Sequence, residues 1–349
     1  MDKAELVRRV HDGEVISRES LAGVDLSGAD LNGGIFEECS FRGAVMAGVT
    51  MQEATMFQCD LAGAQWTAGD LNKTSLDHCG LAGAVFTGTA LPFTNFVECD
   101  LTGAVFSLSR LLAPKFVKSN LTRANFAGCA MNQTAFLECD LTATDLTGAH
   151  LRQCALLATD LVTAVLTDIH LDLSVFTGCT LTGKDLRGMD LSLTQFMTCA
   201  MAGCDLTGAT LDRCNFKGAD LTGAKLGGVR APSALFLEAK LERAVFTRAS
   251  LRSAIFQDAD ITLADCSDAD LYQANFTRVK APRARFNGSD LTYADFSHAD
   301  VEGADFSGAR MFRAVLHRTR DAGAFFSQRA LCLGDDAELA QAEEFTPPR

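Results

Sequence analysis

Residues 19–46 read ESLAGVDLSGADLNGGIFEECSFRGAVM. Every fifth residue of this stretch is large and apolar: Leu21, Leu26, Leu31, Phe36, Phe41 and Met46. The frame runs without a slip to Leu316. Of its 60 positions, 57 hold Leu, Phe, Met, Ile, Val or Trp, and the exceptions are Ala231, Cys266 and Ala281. Two residues ahead of each position sits a small one: Ala, Cys, Gly, Ser or Thr at 51 of the 60. A period of five fits neither the 3.6 of an α-helix nor the 2 of a flat strand. It fits a chain that turns a corner every five residues, each side pointing one large and one small residue inward. Four sides close a coil of about 20 residues, and coils stack at the ~4.8 Å spacing of paired β-strands.

The units ADLNG (29–33), CDLAG (59–63), CDLTG (99–103), ANFAG (124–128), ADLTG (219–223) and ADFSG (304–308) resemble the pentapeptide-repeat family, whose pattern is A(D/N)LXX. The resemblance covers about residues 20–320. It implies an all-β fold, a right-handed quadrilateral β-helix of about 15 coils stacked as a solenoid. It implies no single function.

Residues 2–10, DKAELVRRV, and 335–345, DDAELAQAEEF, suit short amphipathic helices. They are expected to cap the open β edges at the two ends. The expected division is a cap over residues 1–18, the β-helix over 19–320, and a cap with a tail over 321–349.

At period 20 the sides separate. One column reads Leu61, Leu81, Leu101, Leu121, Leu141, Leu161, Leu181, and another is mostly Phe, from Phe96 to Phe296. Stacked rings fill the axis and leave no room for a substrate. Eleven of the 13 cysteines occupy the small inward position, six of them sharing one column with Cys139. That placement predicts reduced, core-packed thiols rather than disulfides or metal ligands. Of 30 Asp, 19 precede a large core residue. In the family such side chains bond the turn backbone, the local bonding that Asp and Asn favour.

The formal net charge is −13. Residues 1–174 carry 11 Lys/Arg against 21 Asp/Glu, and residues 175–349 carry 20 against 23. Direct nucleic-acid binding through phosphate contacts is therefore not expected. The N-terminus has no signal-peptide apolar run, and no stretch is long enough to span a membrane. The expectation is a cytoplasmic protein without cofactor. Neither a nucleophile–base pair nor a phosphate loop is visible, so no catalytic site is expected.

Several outward groups invite a site. His150 and His170 lie one coil apart with Asp190 next, a row of three metal-ligand types in poor tetrahedral geometry. Lys184 takes a small inward position, ahead of Met189, which predicts a bulge or a lysine head turned outward. The columns Asp220–Lys240–Asp260–Lys280–Asp300 and Asp265–Arg285–Asp305 alternate in sign, an arrangement worth roughly 1 kcal/mol per neighbouring pair even in water. Lys225, Arg230, Lys240, Arg243, Arg248 and Arg252 are candidates for a basic patch. The strongest candidate is an apolar stripe beside the Phe column: Phe57, Val97, Val117, Leu137, Leu157 and Met197, flanked by Ala135, Ala155 and Val175. A contiguous outward apolar patch marks an interface, either with another protein or with a second copy.

Two functions follow. The first is a rigid, non-catalytic scaffold or adaptor for protein–protein interaction. The opening ELVRRVHDGEVISRESLAGVDLSGADL is similar to long family members found with bacterial type VI secretion components, which implies an accessory role there. The alternative is a DNA mimic: some family members bind DNA gyrase and protect it from quinolones, and the acidic N-terminal half suits that role.

Overall fold

A computed structural model describes residues 1–345. The chain divides into two compact units, Met1–Thr180 and Leu181–Arg349. Both are built of the same 20-residue coil. In the first unit Ser20 bridges Ser40, Asp25 bridges Val45 and Asp30 bridges Thr50, all in parallel. In the second, Asp220 bridges Lys240, which bridges Asp260, and so on to Arg320. Each unit is thus a right-handed quadrilateral β-helix.

The coil follows from its turns. The N–H three residues after a core position donates to that core residue's carbonyl, as from Ala64 to Leu61 (3.0 Å). The residue before it, two after the core position, takes a positive φ, 68° at Gly23 and 58° at Arg123. These are type II turn angles, which glycine adopts freely. The N–H of the corner residue then donates one coil onward, as from Gly63 to Ala82 (2.9 Å).

Thr163 is the one corner between residues 13 and 323 without a positive φ. Branching alone does not account for it, since the corner residue Thr198 takes a φ of 54°. Its hydroxyl accepts the N–H of Ala143 (2.9 Å). Around this coil the core positions Leu166 and Leu171 are half-buried rather than buried.

Along the Phe side of the first unit, strands at steps of 20 pair in register from Val15–Ser17 to Val175–Thr177. Their rings stack at the coil spacing: Phe96 on Phe116 at 4.8 Å and 3°, Phe116 on Phe136 at 5.0 Å. The neighbouring column does the same, Phe106 on Phe126 at 4.6 Å and 1°. Between columns the rings meet edge to face, Phe106 and Phe116 at 5.7 Å and 87°. Offset stacking and edge contact are both favoured arrangements, so the two columns interlock. Ala231, Cys266 and Ala281 are buried like their larger counterparts, and the frame holds through them.

Outside the core, Asp residues fix the corners. Asp140 Oδ1 accepts the N–H of Thr142 (2.9 Å), and Asp190 Oδ1 accepts both the N–H (3.0 Å) and hydroxyl (2.5 Å) of Ser192. Helix α1 (Lys3–His11) closes the N-terminal end, burying Leu6 and Val10. Helix α2 (Ala337–Glu344) lies at the other end and buries none of its residues. Lys184 causes no bulge: its N–H keeps the ordinary turn bond to Leu181 (3.0 Å), and the residue is half-buried.

Two tests follow from the coil. Phe106→Ala removes a ring stacked on both sides and should cost about 3–5 kcal/mol in urea unfolding, followed through the emission of Trp66. A cost under 1 kcal/mol would contradict an interlocked column. The second test is acid. Hydroxyl and N–H donors from Thr142 and Ser192 hold Asp140 and Asp190 below the usual carboxylate range. Their contribution to stability is therefore present above the unfolded value of about 3.9 and is lost as pH falls through the lower folded values. Asp140→Asn keeps the acceptor oxygen and should flatten the fall of the melting temperature below about pH 4; an unchanged slope would remove Asp140 from the account.

Candidate interaction faces

The apolar stripe is set by strand register. Phe57 lies beside Asp77, then Val97, Val117, Leu137, Leu157 and Thr177, each one coil from the last. Ala135, Ala155 and Val175 form the parallel row on the other side of the Phe column. Most of these side chains are half-buried; Phe57 and Leu157 are the exposed ones, at 38% and 36%. Met197, in the strand Gln195–Met197 of the second unit, is half-buried as well.

The largest exposed apolar groups of the first unit stand elsewhere. Leu108 is 70% exposed and Phe93 50%, both at corners, with Leu112 on the side between those corners. Sequence reasoning passed over them because it followed one column of one side. Their signal was nevertheless present: a corner with φ of 55° or 63° throws its side chain outward, and Phe or Leu there has no core to reach.

The six candidate basic residues spread over three successive sides of neighbouring coils. Lys225 and Arg230 occupy successive sides, Lys240 and Arg243 a third, and Arg248 a different corner. Three are neutralised: Lys225 pairs with Asp205 (3.4 Å), Arg230 with Asp212, and Arg252 with Asp270 (3.1 Å) while lying over the ring of Tyr272. The alternating columns supply pairs of the same kind, Arg285 with Asp265 and Arg320 with Asp300, each at 3.4 Å. These exposed pairs add little stability individually.

His150 and His170 stack face to face at 4.3 Å and 6°. Parallel rings aim their nitrogens side by side rather than at one point. Among the described residues one trio is gathered closely enough for a metal: His298, His317 and Glu343. Its chemistry does not fit an ion. The buried His317 Nδ1 accepts the N–H of Asp336 (3.1 Å), which leaves the ring proton on Nε2, facing Glu343 at 3.4 Å. Arg318 Nε lies 3.2 Å from the same carboxylate. A guanidinium and a protonated Nε2 occupy the approach a cation would need. The trio instead fastens α2, with Arg318 also donating to the Ala340 carbonyl (3.0 Å).

The cysteines are free thiols. Burial pushes Cys129 and Cys214 up to about 12, and Cys139, Cys154 and Cys204 up to about 11. Thiolate is the reactive form, so these groups are inert. Ellman's reagent should label Cys332, the half-buried one, in the native protein and all 13 cysteines in denaturant. Rapid native labelling of several would contradict the packed core.

A shallow groove of about 460 Å³ runs along Leu263, Pro282, Arg283, Glu302 and Gly303. It is open to solvent, and its charged groups are Arg283 and Glu302.

The model of pentapeptide repeats matches residues 25–63, 70–107, 199–232, 234–268 and 269–308, and that of the pentapeptide repeat region matches 90–166. No curated protein matches. Among solved structures, the chain is similar to HetL, a pentapeptide repeat protein involved in heterocyst differentiation regulation in the cyanobacterium Nostoc. The identity is 23% over 76% of this chain and 96% of that one, with a TM-score of 0.24. It is also similar to QnrB1, a plasmid-mediated fluoroquinolone resistance protein, at 17% identity over 57% of this chain and 94% of that one, TM-score 0.35. A thylakoid-lumen pentapeptide repeat protein of Arabidopsis thaliana is 28% identical over 40% of this chain and 62% of that one, TM-score 0.15. The unbroken five-residue frame, the stacked coils and the two family models, which together match more than half of the chain, agree: the chain belongs to the pentapeptide-repeat family.

Proposed function

We propose that this protein is a non-catalytic scaffold that binds another protein through the outer face of its β-helix. The observation that carries the reading is the in-register apolar row of Val97, Val117, Leu137 and Leu157, set on the buried Phe column. A row of this kind presents contact area without first having to be ordered, which lowers the cost of binding. The interior supports the same reading, because buried Phe, Leu and Met side chains occupy it in both units. Accessory service to a type VI secretion assembly is the more specific form of this proposal. Among the described residues, no helix is long and apolar enough to cross a membrane.

Gyrase protection is the second reading, favoured by the excess of carboxylates in the first unit. Four cations that lack ion pairs, between Arg110 and Arg123, interrupt that negative surface, so the scaffold reading is preferred. Inhibition of gyrase supercoiling by the purified protein would reverse the preference.

Leu137→Asp combined with Leu157→Asp should abolish capture of spike or effector components while leaving Trp66 emission and thermal stability nearly unchanged. Capture that survives both substitutions would place the interface elsewhere.

A further inference from the structure

The first unit carries 11 Lys and Arg. Six of them have a carboxylate partner: Arg8, Arg9, Arg18, Arg42, Lys73 and Arg152. Lys3 donates to the carbonyl of Ser27. The remaining four are Arg110, Lys115, Lys118 and Arg123, consecutive among the unit's cations and all exposed. None has an ion pair among the described residues. In a unit with ten more carboxylates than cations, that clustering of unpaired positive charge is a local exception.

These cations stand among the unit's most exposed apolar side chains. From Leu108 the outward residues of half a coil read Leu108, Arg110, Leu112, Ala113, Lys115, Val117, Lys118. The strands Arg110–Leu112 and Lys115–Val117 carry them on two adjacent sides. Phe93, one coil earlier, is tied to this belt by its N–H, which donates to the Leu112 carbonyl (2.8 Å). The belt therefore alternates apolar groups with unsatisfied positive charge around one corner. It fits a ligand that alternates apolar groups with negative charge.

The chain carries such a segment itself. Residues 335–345, DDAELAQAEEF, hold five carboxylates and no cation. Helix α2 within it buries none of its residues, and Leu339 and Phe345 are 46% and 70% exposed. Side chains of the second unit (His298, His317 and Arg318) fasten it, while its apolar side chains remain in solvent. An exposed apolar helix of one sign and an exposed apolar belt of the other are complementary in both respects.

We propose that the belt of Phe93, Leu108, Arg110, Leu112, Lys115 and Lys118 docks the acidic C-terminal helix of a second copy. Reciprocal docking closes a two-fold pair, and one-way docking extends into open chains. The inference rests on the reading of this protein as a binding scaffold and names one partner for it.

The test uses the purified full-length chain. Sedimentation velocity should show self-association at micromolar concentration that weakens as salt rises. Arg110→Glu with Lys115→Glu should weaken it by at least about tenfold. Glu338→Lys with Gln341→Lys should do the same, and mixing the two double variants should restore assembly. A photo-crosslinking residue in place of Leu112 should capture a second copy within residues 335–345. Monomers at every concentration would overturn the proposal, and so would crosslinks confined to other segments or failed restoration on mixing. Native Trp66 emission and thiol protection in each variant confirm that the fold is kept. If self-association fails while Leu137 and Leu157 still govern capture of another protein, the scaffold reading stands and this inference alone falls.

Discussion

The structure depends on one constraint: each residue stacks on the residue 20 positions away. Backbone N–H and carbonyl groups on every side find partners in the next coil, so few are left in the interior. The same stacking sets ring on ring in the Phe columns at 4.6–5.4 Å, close to the β spacing. Hydrogen bonding and packing thus demand the same rise, and neither has to be strained to suit the other. An insertion of one residue within a coil would put both out of step.

The corners are where this regularity carries a cost. Positive φ is needed every five residues, and glycine supplies it at many of them. Non-glycine residues such as Arg123 and Phe93 supply it at others. Asp side chains ahead of the core positions offset part of that cost by accepting N–H groups two residues on. Much of the protein's acidity is therefore committed to its corners and is not free for a partner. Thr163 departs from the pattern: its hydroxyl accepts the N–H of Ala143, and the core residues Leu166 and Leu171 nearby are only half-buried.

The outer surface obeys a different logic. Side chains there meet neighbours one coil away, and charge decides which of them remain available. In the second unit many cations are matched by Asp residues 18 or 20 positions away. In the first unit the cations from Arg110 to Arg123 are not. A surface that neutralises most of its charge internally leaves its exceptions as the places where another molecule gains something by binding. The His298–His317–Glu343 trio illustrates the converse, since the N–H of Asp336 and the guanidinium of Arg318 already use what a metal would need.

The sequence by itself determined the fold, because the inward side chains recur at a fixed interval that one closed coil satisfies. Leu21 to Leu316 could be read as core, and Cys39, Cys59, Cys79 and Cys99 as buried thiols, without coordinates. It also located the apolar row on the Phe side. Only the tertiary structure decided how much of that row is exposed, since half-burial of Val97 or Leu137 depends on neighbours 20 residues away. It spread the six basic candidates over three successive sides, and it brought Phe93 beside Leu112. The physical reason is that an inward residue has one environment, the axis, whereas an outward residue's environment is assembled from three coils at once.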